Sequence, residues 1–272
     1  MRMLFRMLDE TDAADEAENG NIFTPVKSAD RTLEVLEHLA AKGSVSLVDI
    51  SRSLGIPKSS LHSLLRTLEY RGWAESDPSR SVYSLGMNAL LTGASYVDQD
   101  LVVSRTSETL DTLAAATGET IHLGRLEGTD VVYMAKRESR HPLRMFSAIG
   151  RRLPAHATGL GKAMLAELEN DRVLSIMVDP LPSITEHTIT TKNELVKRLD
   201  VVRSSGYAID DEEACIGLRC FAVALPFTSP SKDAISCSVP YARLDAEREK
   251  WIIELLLSTK DQLARQFSGR RF

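Results

Sequence analysis

Residues 46–68 read SLVDISRSLGIPKSSLHSLLRTL, and two short helices joined by a tight turn account for them. Ser46 stands three residues before Asp49, the spacing at which a hydroxyl and a carboxylate cap a helix start. Leu47, Ile50 and Leu54 follow at helical spacing, and Gly55 closes the segment because glycine adopts the left-handed conformation that ends helices. The next helix is expected to begin with Pro57 at its first position, where a missing N–H costs nothing. Its apolar stripe is Leu61, Leu64, Leu65 and Leu68, and Gly72 ends it. With the leucines inward, Lys58, Ser59, His62, Ser63 and Arg66 face outward, with Ser60 and Thr67 beside them.

That outer face is small, polar and cationic. Short hydroxyl side chains let a helix approach base edges, while Arg and Lys grip phosphates. Upstream, Leu33, Leu36, Leu39 and Ala40 set out another helix from Val26, closed by Gly43. Downstream, 73–76 and 82–85 read as strands around the turn 77–80. Three helices and a hairpin are the order of a winged helix-turn-helix. Ser59, Ser60, His62 and Ser63 are therefore assigned to base edges, and Arg52, Lys58, Arg66 and the wing residue Arg80 to phosphates. A solvated helix face would accommodate any one of these residues; the ordered set favours DNA.

The net charge of −5 looks wrong for this partner, but the charge is unevenly placed. Residues 1–23 are acidic and read as a disordered arm, whereas Arg52, Lys58, Arg66 and Arg71 are opposed between 51 and 71 only by Glu69. With 272 residues, two domains are expected: the winged helix-turn-helix over 24–85, a linker helix over 86–98, and a larger domain over 99–272. No apolar run approaches the roughly 20 residues of a membrane span, which places the chain in the cytoplasm. Cys215, Cys220 and Cys237 are an odd set without CxxC spacing, so reduced thiols are expected, with no zinc site and no cofactor.

Beyond Gly118 the chain mixes strand candidates (120–125, 130–136, 143–148, 207–211, 218–227, 234–240) with helical ones (158–167, 171–177, 192–204, 244–266). Another helix spans 101–116. The pattern is an α+β domain around an antiparallel sheet. Thr158 is placed to cap a helix whose first turn, Gly159-Leu160-Gly161, leaves backbone N–H groups for a small carboxylate. Ser236 and Ser238, two apart on a strand, share one face, with Cys237 on the other; Asp210 and Cys220 flank the preceding turn and strand.

The segments 29–33 (ADRTL), 54–60 (LGIPKSS), 141–165 (HPLRMFSAIGRRLPAHATGLGKAML) and 206–220 (GYAIDDEEACIGLRC) resemble the isocitrate lyase regulator (IclR) family of transcription factors. The resemblance runs from Ala29 to about residue 267. It implies a GAF/PAS-like effector-binding domain and a dimer, or dimer of dimers, binding palindromic operators, most relatives being repressors. It nominates Gly159, Leu160, Asp210, Cys220, Ser236 and Ser238 as effector contacts. Met145, Phe146, Leu153, Met164 and Leu218 are candidate apolar walls. Where the family has Gly-Pro after the second serine, this chain has Val239-Pro240, a change expected at the pocket rim.

Each nominee has a plainer alternative: Gly159 as helix packing, Cys220 as a small core residue, the serines as satisfied strand hydroxyls. His156 reads as a hydrogen-bonding structural residue, and Arg151 and Arg152 as attractors of an anion or as solvated charges. The acidic run 210–213 (DDEE) suggests a cation but has no His or Cys at ligand spacing. An enzyme would need Cys220 or a serine as nucleophile with His156 or His122 as base, and no local signature supports that set. A protein-interaction module that has lost DNA binding is the other alternative.

Overall fold

The computed structural model describes residues 24–77, 79, 81–142 and 147–267, and the chain divides into two compact units between Gln99 and Asp100.

In the first unit, α1 (Lys27–Lys42) is followed by β1 (Val45–Ser46), α2 (Leu47–Leu54) and α3 (Lys58–Tyr70). The hairpin β2 (Ala74–Asp77) and β3 (Val82–Leu85) and then α4 (Met87–Asp98) complete it. The strands form an antiparallel sheet in the order β1-β3-β2. Ser46 caps α2 as expected, its Oγ accepting the Asp49 N–H at 3.2 Å, and Gly55 turns the chain at φ +65°. Ser51 Oγ donates to the Ile56 carbonyl at 2.7 Å and fixes the turn into α3.

The core gathers Val35, Leu39, Ile50, Ile56, Leu61, Leu65, Leu68 and Ala74. Two expectations need correcting. Pro57 is the N-cap of α3, with an extended ψ of 138°, rather than its first helical residue. On α1 the buried stripe is Val35, His38 and Leu39, while Leu33 is 58% exposed and Ala40 also faces solvent. Packing against α2 and β3 selects the side of that helix carrying Val35 and Leu39.

The second unit opens with α5 (Leu101–Thr117), β4 (Thr120–Glu127), β5 (Asp130–Arg137) and β6 (Arg152–Pro154). A 3₁₀ turn (Ala155–Ala157), α6 (Gly159–Leu165), α7 (Asn170–Ile176) and α8 (Lys192–Ser205) follow. Then come β7 (Ala208–Asp211), β8 (Leu218–Ala224), β9 (Asp233–Pro240), a 3₁₀ turn (Tyr241–Arg243) and α9 (Ala246–Phe267). All six strands are antiparallel, in the order β6-β5-β4-β9-β8-β7. One face of the sheet packs against α6, α7 and α8 through Val131, Tyr133, Leu160, Met164, Ala222 and Ala234. The other packs against α5 and α9 through Leu110, Ile121, Phe221, Cys237, Val239 and Leu256.

Glu119, wholly buried at the start of β4, is clasped by Arg243 at 2.8 Å and Arg248 at 3.0 Å, joining that strand to α9. A buried carboxylate requires such pairing. The strand expected over 218–227 stops at Ala224, and β6 was not expected at all. Of the strand expected over 143–148, the first four residues lie outside the described residues, and Ser147 and Ala148 are not in a strand. No helix among the described residues is long and apolar enough to cross a membrane.

Candidate functional site

On α3 the leucines at 61, 65 and 68 are buried and Leu64 half-buried, while Lys58, Ser59, Ser60, His62, Ser63, Arg66 and Thr67 are exposed. The helical period thus sorts the polar set onto one side, as read from the sequence. Two hydroxyls are turned back along the helix: Ser63 Oγ donates to the Ser59 carbonyl at 3.2 Å and Thr67 Oγ1 to the Ser63 carbonyl at 2.9 Å. Arg52 on α2 is exposed and paired with Asp49 at 3.1 Å, a surface contact that a phosphate can displace. Arg80 lies outside the described residues, as do Met145 and Phe146.

In the second unit the sheet brings four nominated residues together. Asp210 pairs with Cys220, and Cys220 with Ser238; one rung along, Ala222 pairs with Ser236. Their side chains share the face toward α6, and Cys220 Sγ lies 3.2 Å from Ser238 Oγ. Gly159 opens α6 directly over them: a Cβ there would sit 3.3 Å from the Cys220 carbonyl oxygen and 3.4 Å from Ala222 Cβ. Leu160 is buried beside Gly124, and Leu218 is buried at the end of β8. Thr158 Oγ1 accepts the Gly161 N–H at 3.0 Å, so that donor is already used. The N–H groups of Gly159 and Leu160 are the ones left at this helix end.

Val239 corrects an expectation. Its side chain is wholly buried in the cluster against α5 and α9, on the sheet face opposite Ser238. Alternation along β9 carries it away from the α6 side, so it does not form a rim there.

The acidic run also divides by alternation and turn geometry. Asp210 is buried, and its Oδ1 accepts the N–H groups of Glu213 at 2.9 Å and Ala214 at 3.2 Å. Burial pushes its carboxyl up to about 6, against the pull of the Lys162 ammonium. Glu213 is buried and accepts a hydrogen bond from Lys162 Nζ, while Glu212 caps the following turn at the Gly217 N–H. Among the described residues no three His, Cys, Asp or Glu are placed to hold a metal ion.

The Cys220 thiol is raised well above its ordinary range by burial, and His156 Nε2 bonds the Pro182 carbonyl at 2.9 Å. They do not form a nucleophile–base pair.

Sequence reasoning missed the Lys162–Glu213 pair and considered His122 only as a base. His122 is wholly buried on β4, directly opposite Ser236. Its Nε2 meets Ser147 Oγ at 2.8 Å, and its ring stacks on Tyr133 with centroids 4.5 Å apart. Burial, reinforced by the Lys136 ammonium, pushes its pKa down to about 4, so the ring is neutral at physiological pH. A strand alternation placing His122 beside Ser236 required knowing that β4 and β9 are neighbours.

A winged helix-turn-helix with a polar, cationic outer helix face, joined to a sheet domain with a recessed polar cluster, defines a DNA-binding transcriptional regulator. Residues 28–78 match the IclR helix-turn-helix domain and residues 94–265 the bacterial transcriptional regulator IclR C-terminal domain. The chain belongs to the IclR family of bacterial transcriptional regulators. It is 31% identical to the HTH-type transcriptional regulator BhcR of Paracoccus denitrificans over 250 residues, covering 90% of this chain and 89% of that one. It is 29% identical to the transcriptional repressor IclR of Escherichia coli over 256 residues, covering 90% and 92%. A regulator from Alicyclobacillus acidocaldarius superposes with a TM-score of 0.78 at 24% identity, covering 89% of this chain and 99% of that one.

Proposed function

We propose that this regulator represses a neighbouring catabolic operon, binding palindromic operator DNA as a dimer or dimer of dimers and responding to a small carboxylate. The sensing half rests on one juxtaposition: Asp210, Cys220, Ser236 and Ser238 converge on the sheet face over which Gly159 and Leu160 open α6. Two serine hydroxyls, a thiol and free backbone N–H groups suit an oxyanion in a site closed to water. Leu218 supplies an apolar wall; Met145, with Phe146, lies in a segment outside the described residues.

On the DNA side, Ser59, Ser60, His62 and Ser63 approach base edges, and Lys58, Arg66, Arg52 and Arg80 hold phosphates. The exposed apolar side chains of α4, Met87, Leu90, Leu91 and Tyr96, are the surface at which two copies meet. A ligand with unequal affinity for two dimer arrangements then changes the spacing of the two α3 helices.

Titration of upstream duplex by fluorescence anisotropy at several salt concentrations tests the reading. Lys58→Ala and Arg66→Ala are expected to weaken binding to all duplexes alike, each lowering the log–log salt slope by about one. Wild-type protein that retards no upstream duplex, with or without small carboxylic acids, would overturn it.

A further inference from the structure

Asn88, the second residue of α4, is half-buried and bonds the end of α3 twice. Its side-chain Nδ2 donates to the Arg71 carbonyl at 2.5 Å, and its backbone N–H donates to the Gly72 carbonyl at 3.0 Å. The Arg71 carbonyl is an acceptor left over where α3 ends, and the Asn88 N–H a donor left over where α4 begins. One residue thus satisfies the ends of both helices. Beside them the Gly86 N–H donates to the Trp73 carbonyl at 2.9 Å, closing the base of the β2–β3 hairpin.

Glycines permit this close approach. Gly72 turns the chain at φ +68°, and a Cβ on Gly86 would sit 2.5 Å from the Gly72 carbonyl oxygen. Backbone packed so tightly fixes where α4 starts, and a second attachment, through the Asn88 side chain, fixes the direction in which it runs. Two residues further along, Leu90 and Leu91 begin the exposed apolar surface of α4.

We propose that Asn88 is a positioning residue that makes α3 and α4 one rigid body, and so sets the spacing between half-sites at which two copies of this chain read DNA. This rests on the reading of α3 as the recognition helix and α4 as the surface where two copies meet. With the joint stiff, pairing through α4 holds two α3 helices at one separation; with the joint loosened, each α3 still reads its half-site but the separation varies. One added base pair rotates a half-site by about 35° and shifts it by about 3.4 Å, a displacement that a stiff joint does not follow.

Selection of duplexes from a random-sequence pool by the full chain, followed by anisotropy titration of the recovered sites with the spacer lengthened or shortened by one base pair, tests this. Wild type is expected to recover paired half-sites at one spacing and to bind the altered spacers about tenfold more weakly. Asn88→Ala should recover the same half-site and keep the salt slope, while its discrimination between spacers falls to about threefold or less. A residue that merely supports the fold would, when replaced, weaken binding at every spacer alike. Asn88→Asp is the second variant: a carboxylate suits a helix N-terminus, so α4 is retained, but it offers only acceptors to the Arg71 carbonyl. It should bind all duplexes more weakly and lose the spacer discrimination as well.

Discrimination unchanged in both variants, or a wild type that recovers paired half-sites at many spacings, overturns the proposal. Should the alanine variant fail to fold by circular dichroism, the aspartate variant decides. A wild type that recovers no paired half-sites counts against the dimeric regulator reading and takes the proposal with it, whereas a single wild-type spacing that both variants keep counts against Asn88 alone.

Discussion

Asp210 and His122 lie on the same sheet face, and burial moves their pKa values in opposite directions, each toward the neutral form. For Asp210 the folded value, about 6, lies above the ordinary 3.8. The stability it contributes is complete below the lower value and is lost as pH rises through the upper one. Asp210→Asn keeps an acceptor for the Glu213 and Ala214 N–H groups without the charge. Its stability relative to wild type is expected to rise by about 2 kcal/mol between pH 4 and pH 7, measured by urea unfolding. A flat difference would mean that Asp210 is not held against ionisation. For His122 the sign reverses: its contribution is present above 6.5 and is lost as pH falls through about 4. The outward face of α3 was legible residue by residue, because a single helical period sorts it. Lys162 and Glu213 were not, since the partners are 51 positions apart and each alone looks like a surface charge.

At the scale of elements, α6 is set by how closely its first turn approaches its surroundings. A Cβ on Gly161 would land on the backbone of Ala155, whereas one on Gly159 would meet β8 at 3.3–3.4 Å. Backbone cannot yield as a side chain can. Gly161→Ala is therefore expected to lose at least about 2 kcal/mol in urea unfolding, despite the helix-propensity gain of about 1 kcal/mol. Gly159→Ala should cost less; equal costs would show that α6 shifts freely. The capped α2 and the alternating β9 were readable because cap chemistry and alternation are local. Strand β6, three edge residues ending in proline, carries too short a pattern to register, and the end of β8 at Ala224 is set by its neighbours rather than by composition.

For the whole molecule, α4 has no buried residue, yet Leu90 and Tyr96 are more than 60% exposed. An apolar helix left open in one chain is the kind of surface that a second copy covers. Leu90→Glu with Leu91→Glu is expected to shift sedimentation toward monomer and to weaken operator binding at least tenfold, because two half-sites are then no longer held together. Unchanged sedimentation would count against α4 as the proposed dimer surface. The sequence alone determined most of the helices and strands, which side of α3 faces outward, and that Ser236 and Ser238 share a face, because caps, turns and periods act within a few residues. Only the tertiary structure decided that Val35 rather than Leu33 is buried, that Val239 faces α5 and α9, and that His122 joins the serine row. Those outcomes depend on which strands and helices become neighbours, a matter of packing between residues far apart in the chain.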